Sequence, residues 1–226
     1  MKRSISILAL AALLAAPAAA QSPLTWLGTP RWNSPKGGTG ITINADYGRP
    51  NTNAGQGYAY GGRVAFGLGT VTLTAGVASW EPKTFDVRAM SYGGTAGFRL
   101  VGGSLLPVAV NLQLGGAHNR KVTSGTQTLL DETTTAQGAL GVSVPLPTPF
   151  VSVEPYFSPG VRYYKRWNVP GADAQEVNFG WVVGGNIGFG PVGVHLAYDS
   201  EKFDDGTRHG VFGVGANVAF KVPLGM

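Results

Sequence analysis

The sequence predicts an all-β protein: one closed, antiparallel, up-and-down β-barrel whose strands cross a membrane. Residues 108–114 and 212–220 place large apolar side chains at every second position, with small or uncharged polar ones between them. In a strand this spacing sends the two sets to opposite faces. Only 13% of residues are charged, whereas 43% are hydrophobic and 35 of 226 are glycine. The connections between the alternating segments are, in turn, short and long.

Ten segments follow this template and are predicted as the barrel strands, with eight strands as the alternative if two segments belong to loops. An even number returns both ends of the barrel to the same side of the membrane. After the first twenty residues, no stretch of comparable length has the periodicity of a helix. The predicted strands cover residues 38–47, 57–67, 70–80, 89–101, 106–118, 133–144, 150–165, 175–189, 192–202 and 209–221.

The alternating lengths of the connections predict which end of the barrel is which. Short turns at one end and longer, more polar loops at the other are typical of periplasmic turns and extracellular loops. The short connections lie near residues 67–69, 102–105, 145–149 and 190–191. The longer ones lie near residues 48–56, 81–88, 119–132, 166–174 and 203–208.

The two faces of the strands differ in polarity, and this predicts which face lines the bore. One face carries Val, Leu, Phe and Tyr, and the other carries Gly, Ala, Ser, Thr, Asn and Gln, which suit a narrow lumen. Arg63, Arg99 and Glu154 have lumen parity. A charge in a narrow bore has to be paired or hydrated. We therefore predict an Arg–Glu network that partly blocks the bore; the alternative is that lumen water solvates each charge separately.

Aromatic residues concentrate near the ends of the predicted strands. Most share the parity of the apolar face, so they predict two belts at the membrane interfaces. The belt beside the long loops comprises Tyr47, Tyr58, Trp80, Tyr92 and Tyr198. The belt beside the short turns and the C-terminus comprises Phe66, Phe98, Phe189 and Phe220.

This pattern resembles the small outer-membrane β-barrel proteins of bacteria (porin-like, outer-membrane β-barrel domains). In that family the last strand usually carries an assembly signal of a polar residue, a glycine and a terminal aromatic. Gly215, Val218 and Phe220 fall at the matching spacing. Gly213 occupies the polar position, and the chain continues to Met226 instead of stopping at the aromatic. The resemblance implies outer-membrane lipid and the barrel assembly machinery as partners.

The termini carry segments outside the barrel. Residues 1–20 combine Lys2 and Arg3 with an apolar run and Ala18-Ala19-Ala20, which predicts a signal peptide cleaved after Ala20. A retained N-terminal anchor is the alternative. Residues 21–37 are predicted as a periplasmic lead-in that could instead plug the lumen, residues 38–221 as the barrel, and residues 222–226 as a tail. A cleaved signal peptide followed by a transmembrane barrel predicts that the protein is exported and lies in the outer membrane.

Composition also excludes several classes of function. The net charge of +5 is spread along the chain without a basic run, so nucleic acid is not predicted as a partner. The chain has no cysteine, which excludes a disulfide framework. Its three histidines show no metal-ligand spacing, so neither a metal nor another cofactor is predicted.

One catalytic arrangement is conceivable inside the predicted bore. His195 has lumen parity on the ninth predicted strand, and Asp199 lies four residues on with the same parity. Barrel enzymes of the outer membrane use Ser–His, Asp–His or Tyr–Ser–His sets, and no serine lies beside His195 on this strand. A buried histidine with a hydrogen-bond partner is therefore the preferred interpretation.

A second conceivable arrangement lies on the last long loop. Asp204, Asp205 and His209 are close together there. However, Asp-Asp-Gly is also an ordinary turn sequence, and catalysis needs further carboxylates opposite, such as Asp46 or Asp86. We therefore predict no catalytic residues.

Three classes of function remain open, in the following order. The first is a non-enzymatic envelope protein that mediates surface contact or adds integrity. The second is a narrow passive channel for small or apolar solutes, and the third is a barrel enzyme acting on lipid or peptide. The channel is suggested by inward positions that leave space, namely Gly61, Ala65, Gly97, Gly141, Gly184 and Gly188.

Overall fold

The computed structural model describes residues 38–83, 87–103, 106–147, 149–167 and 175–220. The predicted signal peptide, lead-in segment and C-terminal tail lie outside these residues, as does Asp86. Within the described ranges, no helix is both long and apolar enough to cross a bilayer.

Ten strands form one closed antiparallel barrel, as the sequence predicts. Each strand pairs with its neighbours along the chain, and β1 closes the ring against β13, with Ile41 opposite Phe220. In chain order the strands are β1 (Thr39–Pro50), β2 (Tyr58–Leu68), β3 (Val71–Glu81), β4 (Ala89–Gly103), β5 (Leu106–Asn119), β6 (Val122–Ser124), β7 (Gln127–Leu130), β8 (Thr133–Ser143), β9 (Leu146–Pro147), β10 (Ser152–Arg166), β11 (Gln175–Phe189), β12 (Val192–Lys202) and β13 (Arg208–Phe220).

Three of these strands, β6, β7 and β9, are not among the ten that form the barrel wall. β6 and β7 pair only with each other and form a hairpin inside the connection between β5 and β8. The two-residue β9 lies against the start of β10. The hairpin belongs to what we call the long-loop end, where β1 joins β2, β3 joins β4, β5 joins β8, β10 joins β11 and β12 joins β13. The opposite end is the short-turn end.

The polarity of the two faces of the barrel is the reverse of that in a water-soluble protein, with apolar side chains outside and polar side chains inside. On the outside, Leu100 and Phe179 are each 59% exposed. On the inside, Asn44, Arg63 and His195 are buried. A continuous apolar exterior of this kind is unstable in water and is stable in lipid, where a closed barrel satisfies every backbone hydrogen bond. The chain is therefore a transmembrane β-barrel of the outer-membrane type.

Close packing between β2 and β3 depends on the absence of a side chain at Gly76 in β3. A Cβ at this position would overlap the Gly62 carbonyl oxygen of β2 and lie 2.9 Å from the Arg63 Cα. Gly61 also faces the bore, but there the nearest atom to an added Cβ is the Val77 carbonyl oxygen at 3.5 Å. The two glycines therefore form a matched pair for testing this packing.

We expect Gly76→Ala to lower the free energy of unfolding by about 1–3 kcal/mol, because the backbone has to move. Gly61→Ala should change it by less than about 0.5 kcal/mol, since its methyl group meets ordinary contacts. Urea unfolding from lipid vesicles, followed by tryptophan fluorescence, measures both. Equal effects of the two substitutions would contradict this account of strand packing.

Candidate functional site: ion pairs inside the bore

Three charged or ionisable side chains from three strands meet inside the barrel, and we call them the Asp46 triad. The Oδ2 atom of Asp46 in β1 lies 2.5 Å from the Nε of Arg63 in β2, and its Oδ1 accepts a second bond of 3.0 Å from Nη2. The Nε2 of His195 in β12 lies 2.7 Å from the same Oδ1. All three side chains have zero solvent exposure.

The contact between Asp46 and His195 crosses an intervening strand at a glycine. β13 lies between β1 and β12, and its Gly215 is opposite both Asp46 and His195. A Cβ at Gly215 would overlap the His195 imidazole and approach the Asp46 carboxylate to 2.6 Å. The missing side chain is thus what lets the two residues meet.

A second group, the Arg162 cluster, is built in the same way nearer the long-loop end. The Nη2 of Arg162 in β10 donates to Asp199 Oδ1 at 2.7 Å, and its Nη1 donates to Glu201 Oε2 at 2.7 Å. The Tyr164 hydroxyl donates to the same Glu201 oxygen at 2.8 Å. The guanidinium reaches from β10 to β12 across Gly180 of β11, where a Cβ would lie 2.7 Å from Nη1.

The predicted network of Arg63, Arg99 and Glu154 stays a prediction, and the structure describes other contacts for its members. The carboxylate bound to Arg63 is Asp46, and Glu154 accepts hydrogen bonds from Ser143 at 2.7 Å and Asn186 at 3.1 Å. Arg99 is half-buried beside a register shift between β4 and β5. Equal parity places side chains on one face of the sheet, but it does not place them at one height in the bore.

Trp80 does not lie in the outer belt, where it is predicted from the sequence. It points into the bore, is only 7% exposed, and donates from Nε1 to the Gln56 carbonyl oxygen at 3.0 Å. The reason is parity, because Leu73 and Val77 face lipid and even-numbered residues of β3 therefore face inward. Trp80 packs with Ala59 and Ala89, and the hairpin residues Val122 and Leu130 cover this group.

The other predicted belt residues lie on the outer face. Tyr60, which is not among the predicted belt residues, joins the belt at the long-loop end, with its ring 5.5 Å from that of Tyr47 and 5.8 Å from that of Tyr58. Val218 and Phe220 of the predicted assembly signal also face outward, whereas Gly215 faces the triad. The remaining outward-facing belt residues are Phe66, Tyr92, Phe98, Phe189 and Tyr198.

Comparison with known proteins gives structural matches alone. No protein-family model and no sequence of a curated protein matches the chain. A bacterial polysaccharide outer membrane secretin is similar at 14% identity and a TM-score of 0.49; the match covers 80% of this chain and 66% of that one, slightly under two thirds. The beta domain of the Bordetella autotransporter BrkA is similar at 12% identity and 0.49, covering 80% and 100%.

The N-terminal β-barrel domain of Pseudomonas aeruginosa OprF is similar at 12% identity and a TM-score of 0.42, covering 80% of this chain and 98% of that one. Identities and TM-scores this low say nothing about what the present chain does. Its function has to be inferred from its own side chains.

The structure gives the residues of the first conceivable catalytic arrangement different neighbours from those predicted. The hydrogen-bond partner described for His195 is Asp46 of β1, and not Asp199 of its own strand. The ring of His209 lies 4.0 Å from that of Phe203, and Asp46 is inside the bore, in the triad. Within the described residues, no group of three or more His, Asp or Glu side chains could hold a metal ion.

Asp205 has the structural role expected of a turn residue. Its Oδ1 accepts hydrogen bonds from the Thr207 hydroxyl at 2.6 Å and the Thr207 backbone N–H at 2.8 Å. The hydroxyl first, and then the backbone N–H, hold the pKa of the Asp205 carboxyl below its usual range. Stabilisation of the ionised form suits a side chain that fixes the loop between β12 and β13.

Proposed function

We propose that this barrel is a closed, non-conducting protein of the outer membrane that acts through its exposed loops and by reinforcing the envelope. The observation that carries the proposal is the Asp46 triad, in which three polar side chains from β1, β2 and β12 meet inside the bore with no exposure to solvent. A carboxylate and a guanidinium in this position neutralise each other, so neither offers a site to a passing ion.

Two further groups support closure at the long-loop end. The Arg162 cluster joins β10 to β12 on one side of the bore. On the other side, Trp80 fills the space beneath the hairpin of β6 and β7. Closure therefore depends on side chains from many strands, and loss of one group leaves the others in place.

The inward-facing glycines, which in the sequence suggest space for a channel, give the channel little support in the structure. At Gly184, an added Cβ would lie 2.5 Å from the Tyr156 hydroxyl oxygen, and at Gly188 it would lie 2.6 Å from the Ser152 Oγ. Side chains from β10 thus occupy the space that those two glycines leave open. A narrow channel remains the second candidate. Thr42, Asn44, Thr74 and Thr95 face the bore with buried polar atoms that have no hydrogen-bond partner among the described residues, and such atoms are normally satisfied by water.

Planar-bilayer recording tests the proposal. We expect the folded protein, identified on gels by a band that shifts on boiling, to give no discrete conductance steps. An open porin recorded in the same bilayers shows that a conducting barrel would be detected. Discrete steps from the wild-type protein would overturn the closed-barrel proposal and support the channel.

A further inference from the structure

A cleft of about 660 Å³ lies on the outer wall of the barrel at the long-loop end. The ends of β1, β2 and β3 form it, and its lining includes Tyr47, Arg49, Tyr58, Glu81 and Lys83. We call it the rim cleft. It is separate from the bore, because Tyr47, Arg49, Tyr58 and Glu81 have the parity of the lipid-facing side chains.

The rim cleft lies at the height of the lipid headgroups. Tyr47 and Tyr58 both pack against Tyr60 in the aromatic belt, and such belts mark the boundary between acyl chains and headgroups. Below them the outer wall is apolar, with Ile43 52% and Val64 49% exposed. A molecule in the cleft therefore has a polar part at the rim and an apolar part beside the strands.

The charge of the cleft is positive. Arg49 and Lys83 are exposed, and neither forms an ion pair within the described part of the chain. Glu81 is already matched, since it accepts hydrogen bonds from the Tyr58 hydroxyl at 2.8 Å and from Arg88 Nη2 at 2.9 Å. The lining of the rim cleft thus holds two cations, Arg49 and Lys83, beside a carboxylate that is already paired.

We propose that the rim cleft binds the phosphorylated headgroup of an outer-leaflet lipid. A guanidinium and an ammonium are the side chains that bind phosphate, the first as a fork of donors and the second as a point charge. The acyl chains of the lipid lie along the apolar wall beneath the tyrosine belt. A water-soluble phosphate compound has no acyl chains to pack against that wall, so the lipid is the preferred occupant.

Binding of lipid A, a diphosphorylated glycolipid, to the detergent-folded protein tests this proposal by native mass spectrometry. Each basic side chain near an anionic surface contributes about fivefold to affinity. We expect Arg49→Gln combined with Lys83→Gln to weaken binding about thirtyfold. The matched control is Arg120→Gln combined with Lys121→Gln, which removes two cations from the loop between β5 and β8 at the same end and should leave the affinity within about twofold.

Three results would overturn the proposal. The first is unchanged affinity in the cleft variant, shown to be folded by its shift on boiling. The second is an equal loss in the control variant, which would mean that any rim charge suffices. The third is equal binding of inorganic phosphate at the same concentration, which would make the site one for a free anion. Because the cleft lies outside the bore, none of these results depends on whether the barrel conducts.

Discussion

Replacing Asp46 with alanine should lower the free energy of unfolding by about 3–5 kcal/mol, the cost of removing one partner from a buried ion pair. The substitution leaves Arg63 charged inside the bore, with the His195 imidazole beside it at 3.4 Å. A guanidinium does not lose its proton in a protein, so Arg63 cannot become neutral to avoid this cost. Urea unfolding from lipid vesicles gives the magnitude.

Two controls separate the ion pair from the mere loss of a polar side chain. Asn44→Ala removes a buried, lumen-facing side chain from the same strand, whose amide atoms have no hydrogen-bond partner in the part of the chain that the structure describes; we expect a change below about 1 kcal/mol. Adding Arg63→Met to Asp46→Ala should recover most of the loss, because an apolar pair can replace a buried ion pair. Similar losses in Asn44→Ala and Asp46→Ala would mean that the triad is not a stabilising unit.

The barrel itself could be predicted from the sequence because its two determinants are local. Period-two alternation assigns each residue to a face, and the turns divide the chain into strands, so all ten barrel strands appear within a few residues of their predicted bounds. β12 shows this well, since it covers residues 192–202 in both the prediction and the structure. Lipid outside and polar side chains inside make the alternation unusually clear.

The contacts inside the bore could not be predicted, because they depend on height as well as face. Asp46 and His195 are 149 residues apart, and only the closure of β1 on β13 brings them together. Two signals were nevertheless present in the sequence. Gly215 and Gly180 have lumen parity, and the structure shows that each marks a strand over which charged side chains meet. The prediction for Trp80 was wrong because it followed the general preference of aromatic residues for the membrane interfaces. The position of Trp80 in the alternation of β3 places its side chain inside the barrel.

Replacing Arg162 with alanine should also cost about 3–5 kcal/mol, for the same reason as Asp46→Ala. The substitution leaves Asp199 and Glu201 buried on one face of β12 without the cation that both contact. Urea unfolding from lipid vesicles measures the loss.

A control variant shows whether the loss comes from the buried ion pairs of the Arg162 cluster. Arg166→Ala on the same strand removes an arginine that is 46% exposed and lies 3.7 Å from Glu176, and it should cost less than about 1 kcal/mol. If Arg162→Ala cost no more than Arg166→Ala, buried ion pairing would not be what holds β10 to β12.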